Sequence, residues 1–231
     1  MWVFKYGLKM NMNQTLENYI YEEVVPRYSG FDAAHREDHA LTVISQAHEL
    51  MRRRDEWLAG QSDAQDMWRS EIRSDVLLAA AACHDLGLVN GRDRHHLDSG
   101  EIIRSDVRLR EWFDESEIEI IAQAAEDHRA SGTGAPRSIY GMIVAEADRV
   151  IDGETIIRRT IQFGFKHYPG LDRAAHIARA VDHLKEKYGR GGYLKLWIPW
   201  SDNAVRLAAL QDLIADTPSL ICEVERVYNT L

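Results

Sequence analysis

A histidine beside an aspartate at the end of an apolar helix is costly to bury unless a cation satisfies both. His84-Asp85 stands in that position, within the run LLAAAACHDLGL. Val76 to Leu86 is almost wholly Ala, Val, Leu and Cys, so the segment should be buried on most sides. An unpaired carboxylate there would be expensive, and metal ligation resolves the conflict. Four further stretches repeat the pattern. Asp32-Ala-Ala-His35-Arg-Glu-Asp38-His39 opens a helix continuing through Val43, Ile44, Ala47 and Leu50, with His35 and His39 on one face. His95 and His96 precede Ser99-Gly100. Ile118 to Ala125 ends in Glu126-Asp127-His128-Arg129, and Ile143-Val-Ala-Glu-Ala-Asp148-Arg149 again places one ionisable residue after an apolar helix. Each has a routine alternative: a helix cap, a core histidine bonded to a carbonyl, or Asp85 paired with an arginine. Together they point to a metal site.

The order H…HD…D is similar to that of the HD-domain superfamily of metal-dependent phosphohydrolases, with His39, His84, Asp85 and Asp148 on its four defining positions. The extra histidines resemble the two-metal branch, H…HD…H…H…D. His96, with Gly100 four residues on, is similar to the H-x-x-x-G segment of the cyclic-di-nucleotide phosphodiesterases, and His128 takes the place of the fourth histidine. The resemblance covers Glu17 to Asp152. Two departures argue against that particular substrate. Leu88 stands where those phosphodiesterases have lysine, and their glycine-tyrosine-proline signature is absent from Arg129-Ala-Ser-Gly-Thr-Gly.

The resemblance implies cleavage of a phosphate ester or anhydride bond in a small molecule, in first place a nucleotide, by a metal-activated hydroxide. The nitrogen-rich ligand set suits one or two divalent ions, Mn, Fe, Co, Ni or Zn rather than Mg. His39, His84 and Asp148 would bind one ion and His96 and His128 the other, with Asp85 as the catalytic bridge. His95 and His35 are the candidates for protonating the leaving group, or for orienting a ligand from behind. Arg92, Arg94, Arg129 and Arg149 lie beside these residues in sequence and could grip phosphate through paired hydrogen bonds, or simply pair with Asp93, Asp127 and Glu146. Two other readings stay open: a di-iron oxygenase of the HD type, and a non-catalytic ligand-binding module.

Helical periodicity runs through nearly the whole chain, so an all-α fold is expected, an HD-domain-like helical bundle with additional C-terminal helices. Helices are predicted over 13–25, 39–54, 75–86, 99–106, 115–128, 139–152, 154–164, 172–187 and 203–228, the last broken near Thr217-Pro218. Residues 90–94 read as a loop delivering His95 and His96. The expected organisation is a tail (1–12), an HD core (13–155) and a C-terminal helical extension packed on it (156–231). Cys83 and Cys222 lie in apolar helical patterns and read as reduced packing residues. With no cleavable apolar leader in Met1 to Met10 and no apolar run of roughly 20 residues, a cytoplasmic protein without membrane partners is expected. The formal charge of −9 over 231 residues argues against extended nucleic acid as a partner. A homodimer is compatible with the sequence. His176 and His183 are not expected to bind metal. Gly191-Gly-Tyr-Leu-Lys-Leu-Trp-Ile-Pro-Trp reads as core packing in preference to a flap over the site or a dimer contact.

Overall fold

The computed structural model describes residues 14–32, 34–64, 66–129, 134–149 and 151–231. The expected tail over 1–12 lies outside them. The described residues form eleven α-helices and no strand. The chain divides into two compact units, residues 1–148 and 149–231.

At the centre of the first unit is α4 (Ser74–Cys83), whose residues from Val76 to Cys83 are all buried. A helix apolar on every side must be enclosed by others. It packs against α2 (Glu37–Ala59), α6 (Glu115–Asp127) and α7 (Ile139–Ala147). Leu77 and Leu78 are fully buried, each contributing about 1.5–3 kcal/mol. The short α3 (Asp66–Arg69) leads into α4. The first helix, α1 (Gln14–Tyr19), gives way to a π-turn (Ile20–Val24) and a 3₁₀ segment (Val25–Gly30), where the sequence predicted one helix over 13–25. Pro26 stands at the start of the 3₁₀ segment and has no N–H to donate to a continuing α-helix.

After α4 the backbone leaves helical geometry at Asp85 and forms a 3₁₀ turn (Leu86–Asn90). It then enters α5 (His95–Ser105), which packs on that turn and on α6. His95 and His96 therefore occupy the first turn of a helix, not the loop before it. Asp114 and Glu117 form a reciprocal capping box that fixes the start of α6.

The second unit contains α8 (Gly153–His167), α9 (Arg173–Tyr188), α10 (Asn203–Ala215) and α11 (Thr217–Tyr228). Asp152 and Asp172 cap α8 and α9 by accepting from Thr155 and Ala175 N–H. The break expected near Thr217-Pro218 separates α10 from α11. In the irregular stretch before α10, Leu194, Ile198 and Trp200 are buried while Tyr193 is 37% exposed.

Candidate metal centre

Three helices of the first unit end on a candidate ligand. His84 is the C-cap of α4, His128 of α6 and Asp148 of α7. Their terminal carbonyl groups put partial negative charge at one place, which favours a cation and disfavours a lone carboxylate. His39 enters from the first turn of α2 and His95 from the first turn of α5.

The histidine tautomers follow from the backbone. His84, His95 and His128 each place Nδ1 against a main-chain carbonyl three residues upstream, Ala81, Arg92 and Ala125, at 2.8, 2.7 and 2.5 Å. A carbonyl only accepts, so Nδ1 carries the proton, and in the neutral imidazole Nε2 is left with a lone pair that a metal ion or a second proton can take. Those lone pairs converge. His84 Nε2 lies 3.3 Å from His39 Nε2, and His95 Nε2 lies 3.2 Å from His128 Nε2.

Between the two pairs sits Asp85, 2% exposed. Its Oδ2 is 3.4 Å from His84 Nε2 and 3.6 Å from His39 Nε2, while its Oδ1 is 3.4 Å from His128 Nε2 and 3.5 Å from His95 Nε2. Asp148 Oδ1 joins the first set, 3.2 Å from His39 and 3.8 Å from His84. Two groups can each hold a metal ion: His39, His84 and Asp85, and Asp85, His95 and His128. Nitrogen lone pairs and carboxylate oxygens turned on one another repel unless protons or cations lie between them. The donor set fits divalent transition metals.

Ionisation follows the same logic. Burial works against the Asp85 carboxylate, but the His84 charge and hydrogen bonds from His128, His39 and His84 hold its pKa well below the usual range. Asp148 is lowered likewise, chiefly by His39, against the cost of burial. Burial also disfavours the His39 imidazolium, yet hydrogen bonds to Asp148 and Asp85 outweigh it and raise the pKa from 6.5 to about 9. A raised histidine pKa contributes stability that is complete below about pH 6.5 and is lost as pH climbs through about 9. Chelator-treated protein should therefore melt at progressively lower temperature between about pH 7 and pH 9, and His39→Gln should flatten that slope. An equal slope in both proteins would contradict this account of His39.

The cluster differs from the sequence expectation at one position. His95, not His96, faces Asp85 and His128. Successive residues of a helix point about 100° apart, and α5 begins so that His95 turns inward. His96 instead has a buried Nδ1 without a hydrogen-bond partner, and burial, followed by the nearby Arg129 charge, lowers its pKa to about 4. The glycine of the H-x-x-x-G segment serves packing. A Cβ on Gly100 would collide with the Glu126 carboxylate, which Arg104 and Arg137 pin at 2.6 Å each.

His35 lies outside the cluster, donating from Nδ1 to Asp32 Oδ1 at 2.7 Å with its ring edge-on to His39. Asp32 Oδ2 also accepts from Arg92 at 3.1 Å. Arg94 pairs loosely with Glu101 at 3.8 Å, and Arg129 donates to the Asp93 carbonyl at 2.6 Å. Arg149 begins the second unit.

Two residues that position the site escape a reading of the sequence. The fully buried Tyr28 hydroxyl donates to the Ala82 carbonyl at 2.8 Å and accepts from Asp85 N–H at 3.2 Å, bracketing the HD pair. Ser99 Oγ accepts from Gly87 N–H at 2.9 Å and donates to the His95 carbonyl at 2.8 Å. Tyr28→Phe leaves a buried donor and a buried acceptor unpaired. It should cost about 1–3 kcal/mol, read from denaturant unfolding, and unchanged stability would count against the bracket.

A search of curated proteins returned no match, and a search of solved structures returned none. The sequence profile of the HD domain matches residues 36–153, from the N-cap of α2 to the first residue of α8. That span is just over half the chain and contains every residue of the two groups that could hold a metal ion. With a histidine–aspartate cluster able to hold metal in an all-α fold, the chain belongs to the HD domain family, whose members are largely metal-dependent phosphohydrolases.

Proposed function

We propose that the protein hydrolyses a phosphate ester or anhydride bond in a small phosphorylated molecule, with a nucleotide as the leading substrate class, using two divalent metal ions. The division of the Asp85 carboxylate, one oxygen toward His39 and His84 and the other toward His95 and His128, carries this reading. His39, His84 and Asp148 would hold one ion, His95 and His128 the second, and Asp85 both. Paired ions lower the pKa of water and neutralise charge on a phosphoryl oxygen.

The chain's own residues supply the rest. Carbonyls of Ala81, Arg92 and Ala125 orient the imidazoles and raise their basicity. Arg92 and Arg129 flank the second set in sequence and carry guanidinium groups suited to phosphate oxygens. His35, steadied by Asp32, is the remaining candidate for protonating the leaving group, because His95 is taken into the cluster.

Two measurements test this. Metal-loaded protein should contain about two ions per chain, falling to about one in His95→Ala and unchanged in His96→Ala. Phosphate release should appear in a screen of phosphorylated small molecules against Mn, Fe, Co, Ni and Zn. One ion per chain in the unaltered protein would overturn the two-metal reading. Oxygen consumption by iron-loaded protein, without phosphate release on any substrate, would place it with the di-iron oxygenases.

A further inference from the structure

We infer that the second unit carries a docking surface for single-stranded nucleic acid, on the face shared by α8 and α9. The inference does not depend on the metal centre. It starts from charge. The net −9 of the chain is unevenly spread: residues 149–231 carry 12 Lys and Arg against 10 Asp and Glu, while residues 1–148 carry 16 against 27. Whole-chain charge, which argued against nucleic acid, averages over a strongly acidic unit and a weakly basic one.

Basic and aromatic groups coincide on one face. Arg159, Phe163, Lys166 and His167 stand at i, i+4, i+7 and i+8 along α8, hence side by side, and all four are exposed. Phe163 and Tyr168 are 45% and 49% exposed, a large apolar area to leave in water. The His167 ring stacks on Phe163 at 4.1 Å, and Tyr168 follows at 6.4 Å. From α9, Arg179 reaches across with its guanidinium 5.8 Å from the Phe163 ring and 5.6 Å from the Tyr168 ring.

Arg179 is held in place. Its Nη2 donates to the Thr160 carbonyl, and it lies so close to α8 that a Cβ on Gly164 would come within 2.8 Å of it. Part of this packing is a lock between two helices. The lock, however, gives no reason for Phe163 and Tyr168 to stay exposed beside Lys166 and Arg159. None of Arg159, Lys166 and Arg179 forms an ion pair among the described residues, although Asp182 and Glu186 stand on the adjoining turns of α9. Aromatic faces alternating with unpaired cations suit a ligand with both π-faces and phosphates along a strand. A duplex hides its bases, and an acidic peptide offers carboxylates without flat rings.

The test is fluorescence anisotropy of the full-length protein with a labelled oligouridylate about 12 nucleotides long, at low salt. Binding should weaken about tenfold or more in Phe163→Ala/Tyr168→Ala, since each base–aromatic stack is lost. Arg159→Glu/Lys166→Glu, whose side chains are exposed, should weaken it as strongly, and a plot of log affinity against log salt should have a slope near −2 for three phosphate contacts, about −0.7 each. Thermal melts establish that both variants fold, and the charge-reversal pair decides the matter should the aromatic pair unfold. Absence of binding, binding indifferent to the folded variants, or equal competition by duplex, by an acidic peptide or by phosphatidylserine vesicles would overturn the proposal.

Discussion

On the two-metal phosphohydrolase reading proposed above, Asp85→Asn is expected to remove both metal ions together and to lower phosphate release by well over 100-fold. Every other residue of the cluster faces one set of ligands, whereas Asp85 alone offers an oxygen to each. The substitution keeps the shape of the side chain and takes away its charge. Four imidazole Nε2 atoms would then converge on a neutral amide, and the attraction drawing cations into the site would rest on Asp148. Loss of a group that merely orients a metal ligand costs 10–100-fold in affinity or rate, so loss of the shared ligand should exceed that range. His128→Ala provides the contrast, because it should empty the second set and leave the first. Metal analysis together with rate measurement separates the two. An Asp85→Asn protein retaining both ions, or phosphate release within tenfold of the unaltered protein's, would refute the bridging role.

Much of this centre is legible in the sequence because its ligands end helices. His84 follows a run of buried apolar residues, Asp148 follows one broken only by Glu146, and His128 stands three residues after Ala125 ends another, so the pattern that marks the helix marks the ligand. The choice between His95 and His96 is different in kind. The H-x-x-x-G spacing selects His96, whereas the side chain that turns inward depends on where α5 begins, four residues before the predicted start at Ser99. In the structure Arg94 precedes the helix without capping it, and the Ser99 hydroxyl is spent on Gly87 N–H and the His95 carbonyl. Tyr28 is illegible for a related reason. Its partners at Ala82 and Asp85 are 54 and 57 residues away, and no local periodicity encodes that meeting. Helix identity is a local property, but the bonds that aim the ligands are tertiary.

Gly87→Ala should destabilise the protein more than a methyl group added to any other described glycine of the first unit. A Cβ at that position would overlap the His95 carbonyl oxygen and come within 2.5 Å of Ser99 N and 2.8 Å of Asp98 Cβ. The first two obstacles are backbone and cannot rotate aside, so the first turn of α5 must move away from the turn that follows Asp85. That movement stretches the bond from Gly87 N–H to Ser99 Oγ and displaces His95 from His128. Overpacking of this kind costs about 1–3 kcal/mol, and a buried N–H deprived of its acceptor about 1–3 kcal/mol more. For a chain of this length each kcal/mol lowers the melting temperature by about 2–4 °C, so a fall of about 10 °C is expected. Gly30→Ala is the control, because nothing lies within 4 Å of the added carbon and its backbone has no positive φ. Its melting temperature should stay near that of the unaltered protein. If Gly87→Ala melts alongside Gly30→Ala, the close approach of α5 to the HD turn is not what holds His95 in place. If it melts far lower but still folds when cold, metal analysis of the cold protein should show the second ion weakened before the first, since the displaced turn carries His95 and none of His39, His84 and Asp148.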